Sequence, residues 1–231
     1  MSTYTAIILA GGSGKRMGSD IPKQYLKLGG KPLLYYPLMT FEHSKIDEII
    51  LVVAEGEEEY CRKRFVEAYG LTKVKAIVAG GKERYDSVYQ GLMQATGDYV
   101  LIHDGARAFI TEEIIHNTME EVQKCHACIV AVPVKDTIKQ ADSNQVVTAT
   151  VDRSCLWSVQ TPQAFERELL VISYKKVQEQ SMEGITDDAM IVERAGNGPV
   201  KVVLGSYENI KITTPEDMVY GEAILAHRQG V

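Results

Sequence analysis

An α/β architecture, with a mostly parallel central sheet and helices on both of its faces, is what the sequence predicts, on three observations. Ala6-Ile7-Ile8-Leu9, Ile49-Ile50-Leu51-Val52-Val53 and Tyr99-Val100-Leu101-Ile102-His103 are strand-length apolar runs without polar alternation. That is the pattern of strands buried on both faces. Amphipathic or charged helical stretches lie between such runs. Two strand segments run straight into glycines, cations and then a helix: Gly11-Gly12-Ser13-Gly14-Lys15-Arg16 and Gly80-Gly81-Lys82-Glu83-Arg84. In open α/β sheets ligands bind outside the carboxyl ends of the strands, so two such turns can face one ligand.

The first glycine stretch fits neither common phosphate motif. A Walker loop needs four residues between its first Gly and its Gly-Lys pair, then Ser or Thr; here Gly14-Lys15 comes too early and Arg16 follows. A dinucleotide fingerprint starting at Gly12 would need a glycine where Met17 stands. Glycines without Cβ atoms still let backbone N–H groups come close to a ligand. The two cations after them point to an anion, most simply a polyphosphate. The alternative is a bare strand-to-helix connector.

The 231 residues suit one domain spanning 1–231. No apolar run reaches membrane-spanning length, and no basic start with an apolar core marks a secretory signal, so the expectation is a cytoplasmic protein that enters no membrane. The net charge of −6 argues against a nucleic-acid partner. Cys125 and Cys128 form a CxxC that closes a helix and precedes a strand, the reverse of a thioredoxin site. No second close pair exists for zinc. Reduced structural thiols are the expectation.

Taken in order, Pro22-Lys23-Gln24-Tyr25 puts Lys23 close enough in sequence to fold back over the glycines. Gly29-Gly30-Lys31-Pro32 turns into an amphipathic stretch over Leu33 to Phe41, with Pro32 suited to a helix start. Glu57 to Tyr69 reads as a charged surface helix ended by Gly70. Val74 to Ala79 is a strand, and its glycine turn leads into a helix through Ala95, with Ser87 offering a hydroxyl and Arg84 a charge. Asp104 at the end of the Tyr99–His103 strand is suited to hold Mg²⁺, directly or through water, because that ion takes few protein carboxylates beside phosphate oxygens. Arg107 is placed to pair with Asp104. His103 is expected to pack or hydrogen-bond.

Thr111 caps a helix to Lys124, and Ile129 to Val132 is a further strand. Asp136–Lys139 and Val146–Val151 then flank the turn-forming Asp142-Ser143-Asn144, which predicts a hairpin arm over about residues 136–153. Its β-branched residues have little of their own domain to cover, which suggests a two-fold contact with a second copy. Trp157 to Gln163 returns to the sheet and a helix follows from Glu166. Thr186-Asp187-Asp188 caps a helix over Ala189 to Ala195, ended by Gly196, and Val200 to Leu204 is a sixth strand. Asn209 to Ile212 is a short extended piece carrying Lys211. Thr214-Pro215 starts the final helix.

Arg16, Lys23, Arg107, Arg153 and Lys211, with Asp104, are the candidates for chemistry. The sequence contains no GxSxG elbow and no HExxH. That favours catalysis by positioning and charge neutralisation, as in phosphoryl and nucleotidyl transfer. A phosphate monoester acceptor, with a second pKa of about 6, is already a dianionic nucleophile near neutrality and needs no general base.

The ordered motifs LAGGSGKRMG, PKQYLKLGGKPLL, GGKERYDSV, HDGARAF, PVKDTIK, VDRSCLW, QTPQAF, TDDA and NIKITTPEDM cover nearly the whole chain. They resemble the 2-C-methyl-D-erythritol 4-phosphate cytidylyltransferase family. The resemblance implies a Rossmann-like nucleotidyltransferase fold, CMP transfer from CTP with Mg²⁺ and pyrophosphate release, and a homodimer interlocked through the arm. By matching motif, Arg16 and Lys23 would neutralise the triphosphate. Ala10, Gly11, Gly12, Ser13, Gly14, Gly81, Ser87 and Ala106 would hold the nucleotide. Asp104 and Arg107 would serve the metal and the acceptor side, Thr161 and Lys211 the acceptor phosphate, and Thr137 and Arg153 would reach in from a second copy. HDGARAF has Gly105 where the family usually shows Ala and Ala108 where it shows Pro. Two other readings stand beside this one: a ribitol-5-phosphate cytidylyltransferase with the same cradle, and a non-catalytic regulator that binds CTP as a signal.

Overall fold

The computed structural model describes residues 2–12, 18 and 21–230. β1 (Tyr4–Leu9) enters at the middle of a seven-stranded sheet. After a single 3-10 turn at Lys23–Tyr25 come β2 (Lys27–Leu28) and β3 (Lys31–Pro32), a small antiparallel pair of their own. Pro32 therefore ends a strand and does not start a helix. The chain reverses at Gly29 and Gly30, both at positive φ, and α1 (Tyr35–His43) begins five residues after Gly30. β4 (Glu48–Val53) follows, then α2 (Glu58–Cys61), which widens into a π-helical segment over Arg62–Glu67. β5 (Val74–Ala79), α3 (Arg84–Leu92), β6 (Tyr99–Asp104), α4 (Glu112–Cys125) and β7 (Ala127–Pro133) complete the alternating part.

The arm is β8 (Lys139–Ala141) paired antiparallel with β9 (Val147–Thr150). Its tip is tied by Asp142, whose carboxylate accepts from the Asn144 and Val146 amides, each at 2.9 Å. Its apolar residues Ile138, Val146 and Val147 are exposed. β10 (Trp157–Glu166) then runs antiparallel between β6 and β7. α5 (Arg167–Gln180), α6 (Asp188–Ala195), β11 (Lys201–Leu204) and α7 (Pro215–Gln229) close the chain. The strand order is β11-β7-β10-β6-β1-β4-β5, and every neighbour pair in it except the two involving β10 is parallel.

The unbroken apolar strands do supply two cores. On β1, Ala6 and Ile8 pack to one face, against Leu38 and Phe41 of α1 and Ile115 and Val122 of α4. Ile7 packs to the other, with Val88 and Leu92 of α3, Leu170 of α5 and Ile191 of α6. Alternation of side chains along a strand dictates this split. All four cysteines are unpaired; the Cys125 thiol donates to the Glu121 and Ala127 carbonyls, and Cys128 is buried. Among the described residues no helix is long and apolar enough to cross a membrane.

Two features fix the parts of the sheet that carry chemistry. Gly91 lets α3 lie close on β1 and β4: a Cβ there would stand 2.6 Å from Ile7 Cγ2 and 3.0 Å from Val52 Cγ2. His103, wholly buried on β6, ties β6 to β10. Its Nε2 lies 3.2 Å from the Arg107 carbonyl, which can only accept, so Nε2 carries the hydrogen. Its Nδ1, 3.0 Å from Thr161 Oγ1, then accepts from that hydroxyl. Burial pushes the imidazole down to about 4, so it is neutral at pH 7.

Gly91→Ala should lower the unfolding free energy by about 1–3 kcal/mol through overpacking, read by urea denaturation; no loss would show that α3 can retreat from the sheet freely. The His103 ring gives a pH prediction. The unfolded chain takes up the proton near pH 6.5 while the folded one resists to about 4. Stability is therefore full above about pH 6.5 and falls as the pH drops toward 4, by up to about 3 kcal/mol from this group. In His103→Gln that part of the decline should be missing from denaturation curves taken across the window.

Candidate active site

The turns after β1, β5 and β6 open at one edge of the sheet and enclose a cavity of about 390 Å³. From the first turn it is lined by Leu9, Ala10, Gly11 and Gly12, and from the second by Gly81 to Arg84 and Ser87. Lys23 and Gln24 close one side; Asp104, Ala106 and Lys211 close another. A second cavity, of about 300 Å³, adjoins it and is lined by Arg107, Gln160, Thr161, Gln163, Thr186 and Asp187 among others. Arg84, Asp104 and Lys211 line both. These three side chains are the common wall.

Local structure explains each position. α3 starts immediately after the Gly80-Gly81 turn, where the Glu83 amide donates to Asp86 Oδ2 at 3.0 Å. The Gly81 amide donates to Ser87 Oγ at 3.1 Å, so that hydroxyl stiffens the turn. Lys23 opens the 3-10 turn, which is pinned by Tyr25: its phenol donates to Glu57 Oε2 at 2.6 Å and lies 3.1 Å from Cys61 Sγ. Lys23 does fold back toward the glycines, since a Cβ on Gly12 would lie 3.8 Å from its Cε. Gly105 packs tightly after β6. A Cβ there would stand 2.9 Å from both the Leu9 carbonyl oxygen and Leu34 Cδ1, so this chain's geometry uses the glycine that replaces the usual alanine. Ala106 accepts from the Ile212 amide at 2.9 Å, which lays the Lys211 segment across the end of β6.

Charge is concentrated on the common wall. Lys211 Nζ is 2.7 Å from Asp104 Oδ2 and Arg84 Nε is 3.3 Å from Oδ1. Burial would raise the Asp104 carboxyl, but Arg84 and Lys211 outweigh it and hold it well below the ordinary carboxylate range. The Asp104 amide donates to Thr161 Oγ1 at 3.1 Å. Arg84 reaches further, with Nη2 2.8 Å from Asp188 Oδ2. Burial opposes its charge, and Asp188 and Asp104 nonetheless raise its pKa.

The expected Arg107–Asp104 pair does not form. The Arg107 guanidinium donates instead to the carbonyls of Asn209, at 2.7 Å, and Val159, at 3.3 Å. Asp104 already meets Lys211 and Arg84, and the Arg107 side chain goes instead to the Asn209 and Val159 carbonyls. Thr161 lines that cavity, with its hydroxyl committed to His103 and Asp104. Thr137 and Arg153 are exposed on and beside the arm and line neither cavity; Arg153 Nη1 donates to the Lys135 carbonyl at 2.6 Å. Ser13, Gly14 and Arg16 lie outside the described residues. Asp188, whose only sequence signal was its place in TDDA and which stands behind Arg84, and Gln24, whose buried Oε1 has no hydrogen-bond partner among the described residues, were not foreseen.

Among the described residues no three His, Cys, Asp or Glu side chains gather to hold a metal. Of the carboxylates among the described lining residues, Asp104 alone stands where both cavities meet, and it is held ionised; Glu83 and Asp187 each line one cavity only. That fits Mg²⁺, which takes one or two carboxylates and draws its other ligands from phosphate oxygens and water.

The model of the 2-C-methyl-D-erythritol 4-phosphate cytidylyltransferase family matches residues 4–227. A protein of that name from Alkaliphilus metalliredigens is 52% identical over 231 residues, covering 99% of this chain and 95% of its own. One from Lachnospira eligens is 52% identical over 93% of this chain and 95% of its own. Among solved structures, 4-diphosphocytidyl-2C-methyl-D-erythritol synthase from Anaerococcus prevotii superposes with a TM-score of 0.85 at 36% identity, covering 97% of this chain and 96% of that one. The cytidylyltransferase of Thermus thermophilus does so with a TM-score of 0.79 at 29% identity, covering 97% and 99%. The fold is thus the Rossmann-like one of these nucleotidyltransferases, and the chain belongs to the 2-C-methyl-D-erythritol 4-phosphate cytidylyltransferase family.

Proposed function

We propose that this chain transfers CMP from CTP to 2-C-methyl-D-erythritol 4-phosphate, releasing pyrophosphate, in non-mevalonate isoprenoid synthesis. The observation that carries the reading is the pair of cavities joined at Arg84, Asp104 and Lys211, because two substrates must meet at one phosphorus. The names of the relatives supply the acceptor.

CTP occupies the larger cavity. Ala10 to Gly14, with Gly81, Ser87 and Ala106, hold the nucleotide there, and Arg16 and Lys23 neutralise the triphosphate as the α-phosphorus becomes five-coordinate. The acceptor lies in the smaller cavity, where Lys211 meets its phosphate and Thr161 and Arg107 form the wall that positions it. As a dianion it attacks without a general base. Groups aimed at developing charge in a water-poor site supply the rate. Asp104 would hold Mg²⁺, which would supply charge withdrawal at the phosphate oxygens.

The whole chain, 1–231, acts as one nucleotidyltransferase domain. The arm of about residues 136–153 joins two copies into a homodimer, and Thr137 and Arg153 of a second copy complete the acceptor site. The exposed Val146, Val147 and Ile138 on the arm support this. The four unpaired cysteines suit work in the cytoplasm.

Pyrophosphate release measured with CTP and each acceptor tests the reading. Methylerythritol phosphate should be preferred over ribitol 5-phosphate; the opposite preference would reassign the substrate, and CTP binding without release for any acceptor would make the protein a regulator. Lys23→Ala should lower kcat on the order of 10²–10³-fold with the melting temperature nearly unchanged; unaltered turnover removes Lys23 from the chemistry. Chelation by EDTA should abolish release, and added Mg²⁺ should restore it.

A further inference from the structure

We propose that Asp188 is a positioning residue for this reaction, fixing Arg84 so that Arg84 holds Asp104 against Lys211 where the two cavities meet. The inference rests on the transfer reading above and concerns residues that line the site at second hand. Asp188 is wholly buried and lines neither cavity, whereas Arg84 lines both. Three separate elements hold Asp188, one through its backbone amide and two through its carboxylate. Gln163 Oε1 on β10 accepts the Asp188 amide at 3.0 Å. The Tyr174 phenol on α5 reaches Oδ1 at 3.3 Å. Arg84 on α3 meets Oδ2 at 2.8 Å. Asp188 is also the first residue of α6, whose amino end favours an anion.

Stability alone is a poor reason for such a cluster. A buried ion pair gives little net stabilisation over apolar residues of the same size, and its better-attested use is to fix geometry. Two acids and two cations make the group of Asp104, Asp188, Arg84 and Lys211 formally neutral. Without Asp188, Arg84 carries charge unmatched on its buried side. It would then be drawn to the incoming triphosphate, and its hold on Asp104 would slacken. Misplacement of about 1 Å at a reacting centre can cost roughly 10²-fold in rate. Nucleotide affinity, by contrast, would not suffer, because a cation is released toward the phosphates. A role in folding alone predicts no such split.

Steady-state kinetics of pyrophosphate release, with melting temperatures, test this in Asp188→Asn and Asp188→Glu. Asp188→Asn should lower kcat by about 10–100-fold while KM for CTP stays level or falls. Asp188→Glu, which restores the carboxylate, should regain most of the loss. Wild-type kcat in Asp188→Asn overturns the proposal, as does a parallel rise of KM for CTP that Asp188→Glu leaves uncorrected. If Asp188→Asn does not fold, a crystal structure of the wild-type protein with CTP decides. Arg84 should still bridge Asp104 and Asp188, and Arg84 turned onto the phosphates and away from Asp188 overturns the proposal. Wild-type protein that releases no pyrophosphate would instead overturn the transfer reading on which the inference stands.

Discussion

Asp104 is an acid held at the end of a central strand, between one cation from before it in the chain and one from far beyond it. Lys211 arrives on the segment laid over Ala106, and Arg84 arrives on α3. Each depends on a different packing contact. α3 comes close enough because Gly91 has no side chain, and the Lys211 segment is seated by Ile212, buried with Leu28, Leu33 and Phe109. The carboxylate itself is steadied from behind by the unbroken chain of hydrogen bonds from the Asp104 amide through Thr161 and His103 to the Arg107 carbonyl. Loss of any one of these supports would leave the others holding a charge in the wrong place. The two hydrophobic cores thus serve the site by fixing where three strand ends stop.

Much of the architecture was legible because buried parallel strands have a plain signature. Ala6–Leu9, Ile49–Val53 and Tyr99–His103 carry no polar alternation, and each is a strand with apolar neighbours on both faces. The direction of β10 was not legible. Trp157 to Glu166 has the same local composition whichever way it points, and only the pairing of Gln163 with Ile102 and of Trp157 with Pro133 decides it. Pro32 misled because a proline at fixed φ suits either a first helical turn or an edge strand, and the Gly29-Gly30 reversal chose the strand.

The site divides in the same way. Residues that follow glycine turns, or stand at strand ends, declare themselves by position, so Gly81, Ser87 and Asp104 drew attention as candidates, and all three line the larger cavity; Ala106 came only from the resemblance. Partnerships across the fold were not. Arg107 stands three residues after Asp104, yet its guanidinium goes to Asn209 and Val159, while Arg84, twenty residues before Asp104, takes the carboxylate. Asp188 is eighty-four residues beyond Asp104, and no spacing rule joins them. Buried charge finds its counterion in space, and sequence distance carries little of that information.

The reversed strand has a mechanical consequence. β10 pairs with β7 at Trp157 to Val159 and again from Gln163, and the register slips between the two runs, freeing Gln160 to Pro162 from that neighbour. β7 leaves the sheet at Pro133 and β10 re-enters beside it at Trp157, so the strand that receives the arm also carries Thr161 and Gln163 into the wall of the smaller cavity. One continuous strand thus couples the root of the arm to that wall.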